Sequence, residues 1–164
     1  MTLTSRPSLP ETRQPTLLHR CAWAATAQEA AYRIDKPPAY VRTSRVFGLD
    51  PGAAGVVHDL AGLPWHDTRF LPTFEPGRLD DELRDADFAL MIATADDGAA
   101  AASAIGRACW QRGITTAGIV LDLGGVGPHR AATEAVAALR PHARVLLVTG
   151  DRQDIVEILA EVGA

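Results

Sequence analysis

Short apolar runs alternate along this chain with segments whose apolar residues recur three and four positions apart. The first rhythm suits strands buried on both faces and the second suits amphipathic helices, so strands and helices are predicted to follow one another in turn. From Thr43 the pattern reads as strand Arg45–Leu49, helix Pro51–Leu63, strand Thr68–Leu71, helix Leu79–Asp85 and strand Phe88–Ala93. It continues as helix Ala99–Arg112, strand Thr116–Leu121, helix Arg130–Leu139, strand Arg144–Val148 and helix Gln153–Val162. Asp50 is suited to cap the first of these helices and Pro51 to its first turn. Gly113 stops the Ala-rich helix, and Pro141 closes the next one. The nearly uninterrupted apolar character of 89–93, 117–121 and 145–148 is that of parallel strands covered by helices on both sides. The expected fold is therefore a three-layer α/β/α, doubly wound, mostly parallel sheet of about five strands, Rossmann-like in type.

Residues 1–42 follow neither rhythm. Residues 1–15 are polar and Pro-rich, the composition of an arm. Residues 16–35 read as helical, and Thr26 with Glu29 can form a capping box that divides the segment in two. Lys36-Pro37-Pro38 ends it, because proline lacks an N–H and restrains the residue before it. The expected organisation is a Pro-rich arm and helical extension over 1–42, then one α/β domain over 43–164.

Composition narrows the function classes. A length of 164 residues allows one domain with a full hydrophobic core. The net charge of −4 argues against a nucleic-acid surface. No apolar window is long enough to span a membrane, and the opening MTLTSRPSLPETRQP lacks the apolar segment of a secretory signal, so a cytoplasmic protein is expected. Cys21 and Cys109 lie far apart in helix-like contexts, which suits two free thiols better than a disulfide.

In a doubly wound sheet, ligands bind at the carboxyl ends of the strands. Here those ends read Asp50, then Asp96 and Asp97, then Asp122, then Asp151. Two readings are open. Aspartate is a favoured helix cap and turn residue, so each can serve its own helix or turn. Alternatively Asp50, Asp96, Asp97 and Asp122 form a carboxylate cluster that binds a divalent cation, a polyol or an amine, with His129, Arg130 and Arg152 near the same rim. The glycines of Gly48-Leu-Asp-Pro-Gly52-Ala-Ala-Gly55 can let backbone N–H groups approach an anion at a helix N-terminus, or can reflect close packing alone. Their spacing is neither the dinucleotide fingerprint nor a Walker loop. No two of the five histidines have metal-ligand spacing, and Ser103 lacks a nucleophile-elbow context, so no catalytic residue is assigned.

The order of these parts resembles the nucleotide-binding half of the tubulin/FtsZ family of GTPases, from about Arg45 to Ile158. Arg45-Val-Phe-Gly48 and its glycine turn are similar to that family's first strand and phosphate loop. Asp59-Leu-Ala-Gly-Leu63 and Arg69-Phe-Leu resemble the first helix end and second strand. Ala86-Asp87-Phe-Ala-Leu resembles the strand that leads to the signature loop. Gly113-Ile-Thr-Thr-Ala-Gly118 resembles part of the helix and strand after it. Gly127-Pro-His-Arg130 resembles the ribose loop, and Asp151-Arg152 the Asn-Asp-Arg turn. The resemblance implies nucleotide contacts from Gly48, Asp50, Gly52, Ala53, Gly55, Thr94, Asp96, Asp97, Gly98, Gly125, Gly127 and Arg130. The signature Gly-Gly-Gly-Thr-Gly-Thr-Gly loop, however, is replaced by Thr94-Ala-Asp-Asp-Gly98, and Val126 stands where a ribose-contacting glutamate is expected. The turn after the second strand reads Thr73-Phe-Glu-Pro76, and the chain ends before the long central helix and the second domain. The expectation is thus a small FtsZ-like binding or regulatory module without GTP hydrolysis, whose cofactor is a guanine nucleotide, a divalent metal or none. A metal-assisted or cofactor-binding enzyme that uses the acidic strand ends is one alternative, and a subunit of a larger assembly is another. A protein partner or a second copy of the chain is the expected partner, with neither nucleic acid nor membrane involved.

Overall fold

A computed structural model describes residues 42–122 and 133–162. They form a five-stranded sheet in which every neighbouring pair is parallel: β1 (Ser44–Gly48), β2 (Thr68–Leu71), β3 (Phe88–Ala93), β4 (Thr115–Leu121) and β5 (Val145–Thr149). The helices are α1 (Pro51–Ala61), α2 (Leu79–Glu82), α3 (Ala99–Arg112), α4 (Thr133–Leu139) and α5 (Arg152–Val162). Short 3₁₀ turns at Pro76–Arg78 and Asp96–Gly98 precede α2 and α3. The expected doubly wound, three-layer α/β/α fold is the one observed. Of the expected arm and helical extension over 1–42, residues 1–41 lie outside the described residues.

The strand order is β2-β1-β3-β4-β5, one of the two common doubly wound orders. The chain moves outward from β1 to β2, then crosses back over β1 to reach β3. Crossovers between parallel strands are right-handed, so that reversal of direction must also reverse the face on which the connecting helix lies. The packing agrees. On one face Val56, Val57 and Leu60 of α1 and Ile155 and Leu159 of α5 meet Val46, Leu90, Ile92 and Ile119. On the other, Leu79 of α2, Ile105 and Cys109 of α3 and Leu139 of α4 meet Phe47, Met91 and Val120. Adjacent strand residues thus serve opposite layers, as the two-residue strand period requires.

Local chemistry explains the element ends. The Asp50 side chain accepts a hydrogen bond from the Ala53 N–H and so caps α1. Gly113 stops α3 in the left-handed conformation at φ 70°, where a side chain would be strained. Two predicted boundaries differ by more than a residue. Helix α1 stops at Ala61 rather than Leu63, because the Gly62 N–H turns back to the carbonyl of Asp59. Helix α2 is one turn long rather than reaching Asp85, since the Arg84 and Ala86 N–H groups bond to carbonyls three residues back. The predicted start of the fourth helix at Arg130 falls outside the described residues, and α4 is described from Thr133. Strand β5 runs to Thr149, one residue beyond the apolar run, because the Thr149 carbonyl accepts the Asp122 N–H.

Cys109, one of the expected free thiols, is fully buried in the α3 core. Burial pushes its pKa up to about 11 against a smaller opposing effect of Arg112, so the thiol stays protonated and unreactive in the folded state.

Candidate functional site

The place where the strand order reverses, between β1 and β3, is where a doubly wound sheet offers its crevice. Here two turns meet: Leu49–Asp50 after β1 and Thr94–Ala95 after β3. The Asp50 carboxylate joins them. It accepts the Ala53 N–H at 2.8 Å from α1, and the Thr94 N–H at 2.6 Å, the Thr94 hydroxyl at 2.5 Å and the Ala95 N–H at 3.1 Å from the β3 turn. Asp50 is 6% exposed. Burial alone would raise its pKa, but the Thr94 hydroxyl and the three backbone N–H groups outweigh burial and hold the carboxyl below its ordinary value.

This arrangement commits the donors of the two turns to a side chain of the chain itself. Backbone N–H groups at a helix N-terminus and in the turn beside it are what a phosphate would use. Asp50 takes them instead, so the crevice carries its own anion, and a second anion at that spot meets like-charge repulsion. The glycines follow the same logic. A Cβ on Gly52 would lie 2.2 Å from the Thr94 hydroxyl oxygen, one on Gly98 2.6 Å from the Leu49 Cβ, and one on Gly48 2.8 Å from the Pro72 carbonyl oxygen. These three glycines are required by protein packed against them. Gly55 is exposed, with nothing within 4 Å of such a Cβ. Ala53 is buried in the α1 layer and contributes its N–H to Asp50. Gly125, Gly127 and Arg130 lie outside the described residues, as does His129.

The expected carboxylate cluster of Asp50, Asp96, Asp97 and Asp122 is not assembled: among the described residues no three His, Cys, Asp or Glu side chains are grouped so as to hold a metal ion. The physical reason is that Asp50, Asp96 and Asp151 are each engaged with different partners. Asp50 faces inward to its four donors. The Asp96 carboxylate accepts the Ala135 N–H of α4 at 2.9 Å. Asp151 accepts the Gln153 N–H at the start of α5. Asp97 is exposed on the 3₁₀ turn, and Asp122 is half-buried at the end of β4. Asp50 and Asp151 follow the alternative reading and cap the helices they precede, whereas Asp96 bonds to the first turn of α4, 39 residues away.

Beside the Asp50 turn the rim opens into a cleft of about 490 Å³, walled by Gly48–Pro51, Ala54, the segment Pro72–Phe74 and Ala101 of α3. Pro72, Thr73 and Phe74 also wall a second cavity of about 270 Å³ beneath α2, with Phe47, Leu71, Leu79, Glu75, Arg78 and Glu82. The two volumes fall in and just below the range of small-molecule pockets, and most of their walls are apolar. Two of these residues escaped the sequence reading. Phe47 and Phe74 are a strand residue and a loop residue whose proximity depends on the fold. Glu82 had a usable signal: with Leu79 and Leu83 it stands at the three-and-four spacing that marks the buried face of a helix.

Glu82 is 6% exposed and is surrounded by arginines. Arg69 approaches its Oε2 at 3.1 Å and Arg78 its Oε1 at 3.3 Å, while its backbone carbonyl accepts the Nε–H of Arg45 at 2.7 Å. Arg45 is itself buried. Burial and then the neighbouring Arg69 lower its pKa, and Glu82 and Asp85 oppose that. At the other edge of the sheet, Trp110 is 83% exposed at the end of α3, beside a groove of about 280 Å³ that Arg107, His142 and Arg144 also line.

No protein-family model matches the chain, and neither does any curated protein. The likeness to the tubulin/FtsZ family therefore rests on the sequence motifs alone. No helix of the described residues is long and apolar enough to cross a membrane.

The packing of these turns generates two predictions. Gly52→Ala displaces Thr94 from Asp50 and lowers stability by about 1–3 kcal/mol. Gly55→Ala, in open space on the same helix, raises stability by about 0.5–1 kcal/mol. Urea unfolding of the two variants measures both, and equal effects would contradict the packing described. The second concerns pH. Because the folded-state pKa of Asp50 lies below its unfolded value near 3.8, its carboxylate contributes stability that is complete above that value. That contribution is lost as pH falls through the lower folded-state pKa. Asp50→Asn, which turns an N–H₂ group toward backbone donors, is therefore destabilised by about 2–3 kcal/mol at neutral pH. The gap from wild type narrows only in the acid range, as denaturation curves over a pH series will show.

Proposed function

We propose that this domain is a ligand-binding or regulatory module that shares its element order with the nucleotide half of tubulin/FtsZ GTPases and does not hydrolyse GTP. The observation that carries the reading is the Asp50 carboxylate, which takes four hydrogen-bond donors of the two rim turns. A phosphate there must displace a buried, hydrogen-bonded carboxylate, and truncating that network costs more than a single helix-end contact returns. The apolar cleft beside the turn is the surface the module offers to a ligand instead. Thr94-Ala-Asp-Asp-Gly98, which stands where the GTPases carry a glycine loop, is consistent with this: it supplies the clamp on Asp50 in place of a phosphate cradle.

The test is a melting experiment with GTP and GDP, each with and without Mg²⁺, together with a phosphate-release assay. A nucleotide at a hundredfold excess over its Kd adds about 2.7 kcal/mol, a shift of several degrees. The expected result is no shift and no released phosphate. A shift that depends on guanine nucleotide, accompanied by turnover, would overturn the reading.

A second reading, a protein partner or a second copy of the chain, is favoured by Trp110. An indole 83% exposed beside Arg107 and Arg144 is the composition of an interface hot spot. Light scattering over a concentration series is expected to give a mass above that of one chain for wild type and of one chain for Trp110→Ala. A single-chain mass for wild type throughout would remove the second copy from consideration.

A further inference from the structure

The two edges of this sheet are built differently. Strand β2 has 4 residues, Thr-Arg-Phe-Leu, with the exposed charge of Arg69 among them and Pro72 directly after. A charge within an edge strand and a proline beside it keep other chains from adding to a sheet. Strand β5 reads Val-Leu-Leu-Val-Thr and has neither. It pairs with β4 alone, and Val145 at its start is 64% exposed. Its side chains serve both layers, Leu146 and Val148 one and Leu147 the other, so the edge offers its backbone. The Arg144 N–H bonds to the Thr116 carbonyl of β4. A parallel strand turns alternate residues to its neighbour, so the amides of Leu146 and Val148 follow Arg144 toward β4, and those of Val145 and Leu147 turn outward.

Charge is distributed unevenly along this edge. Arg140 and Arg144 stand exposed where β5 begins, and Arg107 of α3 lines the same groove as Arg144. None of the three has a carboxylate partner among the described residues. Asp151 stands exposed where β5 ends. Glu134 is exposed at the start of α4, which the Asp96 contact ties to the same end of the sheet. Arg152, the cation there, is engaged by Asp59 at 2.9 Å. The edge is therefore basic at its start and acidic at its end. A copy of the chain laid parallel to it sets like charge against like. A copy laid antiparallel sets the basic start against the acidic end, twice.

We infer that a second copy of the chain adds to the free edge of β5, antiparallel to it about a two-fold axis, and joins the two sheets into one. The axis passes beside Leu147, whose outward N–H and C=O exchange hydrogen bonds with those of its counterpart in the second copy. The inference deepens the second reading of function and rests on it, naming the surface on which the second copy sits. The exposed Trp110 belongs to the same region, because its groove is lined by His142, Ala143 and Arg144, which lead into β5.

The experiment is amide hydrogen exchange of the full chain, resolved residue by residue, at the dilute and concentrated ends of a light-scattering series. The expected mass rises to that of two chains and no further, because a closed two-fold contact uses up the β5 edge. Exchange at Val145 and Leu147 is expected to slow at least about tenfold in the concentrated sample, with β2 unchanged. Arg144→Glu and Asp151→Arg are each expected to weaken association about tenfold, and the double variant to recover most of it, since the exchange restores opposite charge across the pair. Should Asp151→Arg fail to fold, the exchange rates of wild type decide alone. Association without slowing at Val145 and Leu147, or growth beyond two chains, would overturn the inference and leave the second-copy reading standing. Slow exchange at both residues in the single chain would overturn it too, because the edge is then covered from within the chain. A single-chain mass throughout, with both residues exchanging freely, removes the second-copy reading and the inference with it.

Discussion

The two turns at the centre of this sheet are held together by one buried carboxylate. Asp50 lies at the end of β1, and three of its four donors come from Thr94 and Ala95, at the end of β3. Without a shared anion, the N–H groups of the two turns would converge on the crevice with no acceptor between them, a positively polarised gap at the point where the chain reverses direction. With Asp50 in place, the end of β1, the start of α1 and the β3 turn form one hydrogen-bonded unit. Everything at the rim is arranged around that unit. Gly52 must lack a side chain because Thr94 occupies its space, and Gly98 because Leu49 does.

The same constraint shapes what the crevice can bind. Doubly wound folds use their switch point for anions because helix N-termini and turn amides supply uncommitted donors. In this domain those donors are committed internally, and the free volume is displaced toward β2, where Pro72–Phe74 and α2 enclose mainly apolar space. The rim presents a mainly apolar cleft rather than a polar, phosphate-sized cradle.

Burial of Glu82 is sustained by its arginines. A carboxylate withdrawn from water is tolerated when opposite charge and hydrogen bonds replace its hydration, and Arg69 and Arg78 do this from β2 and the 3₁₀ turn, while Arg45 of β1 donates to the Glu82 backbone carbonyl. The network thereby ties the short α2 to the edge of the sheet, where one helical turn alone would bury little. A similar pair operates at the far side: the Thr149 hydroxyl donates to the fully buried Asp154 and fixes the start of α5 against the end of β5.

The sequence by itself determined the layers, the parallel sheet, the alternation of elements and most of their boundaries, because two-residue and three-to-four-residue periods and local caps act over a few neighbouring positions. It also marked Asp50 as a helix cap and Cys109 as a buried thiol. Tertiary structure alone decided that Asp50 would also take the amides of a turn 44 residues away, since no local pattern records which strands become neighbours. The fold also packs protein against Gly48, Gly52 and Gly98 and leaves the rim aspartates ungrouped. Glu82 stands between the two cases. Its position on the apolar face of α2 was legible from spacing, but the arginines that neutralise it arrive from separate elements, and only folding brings them together.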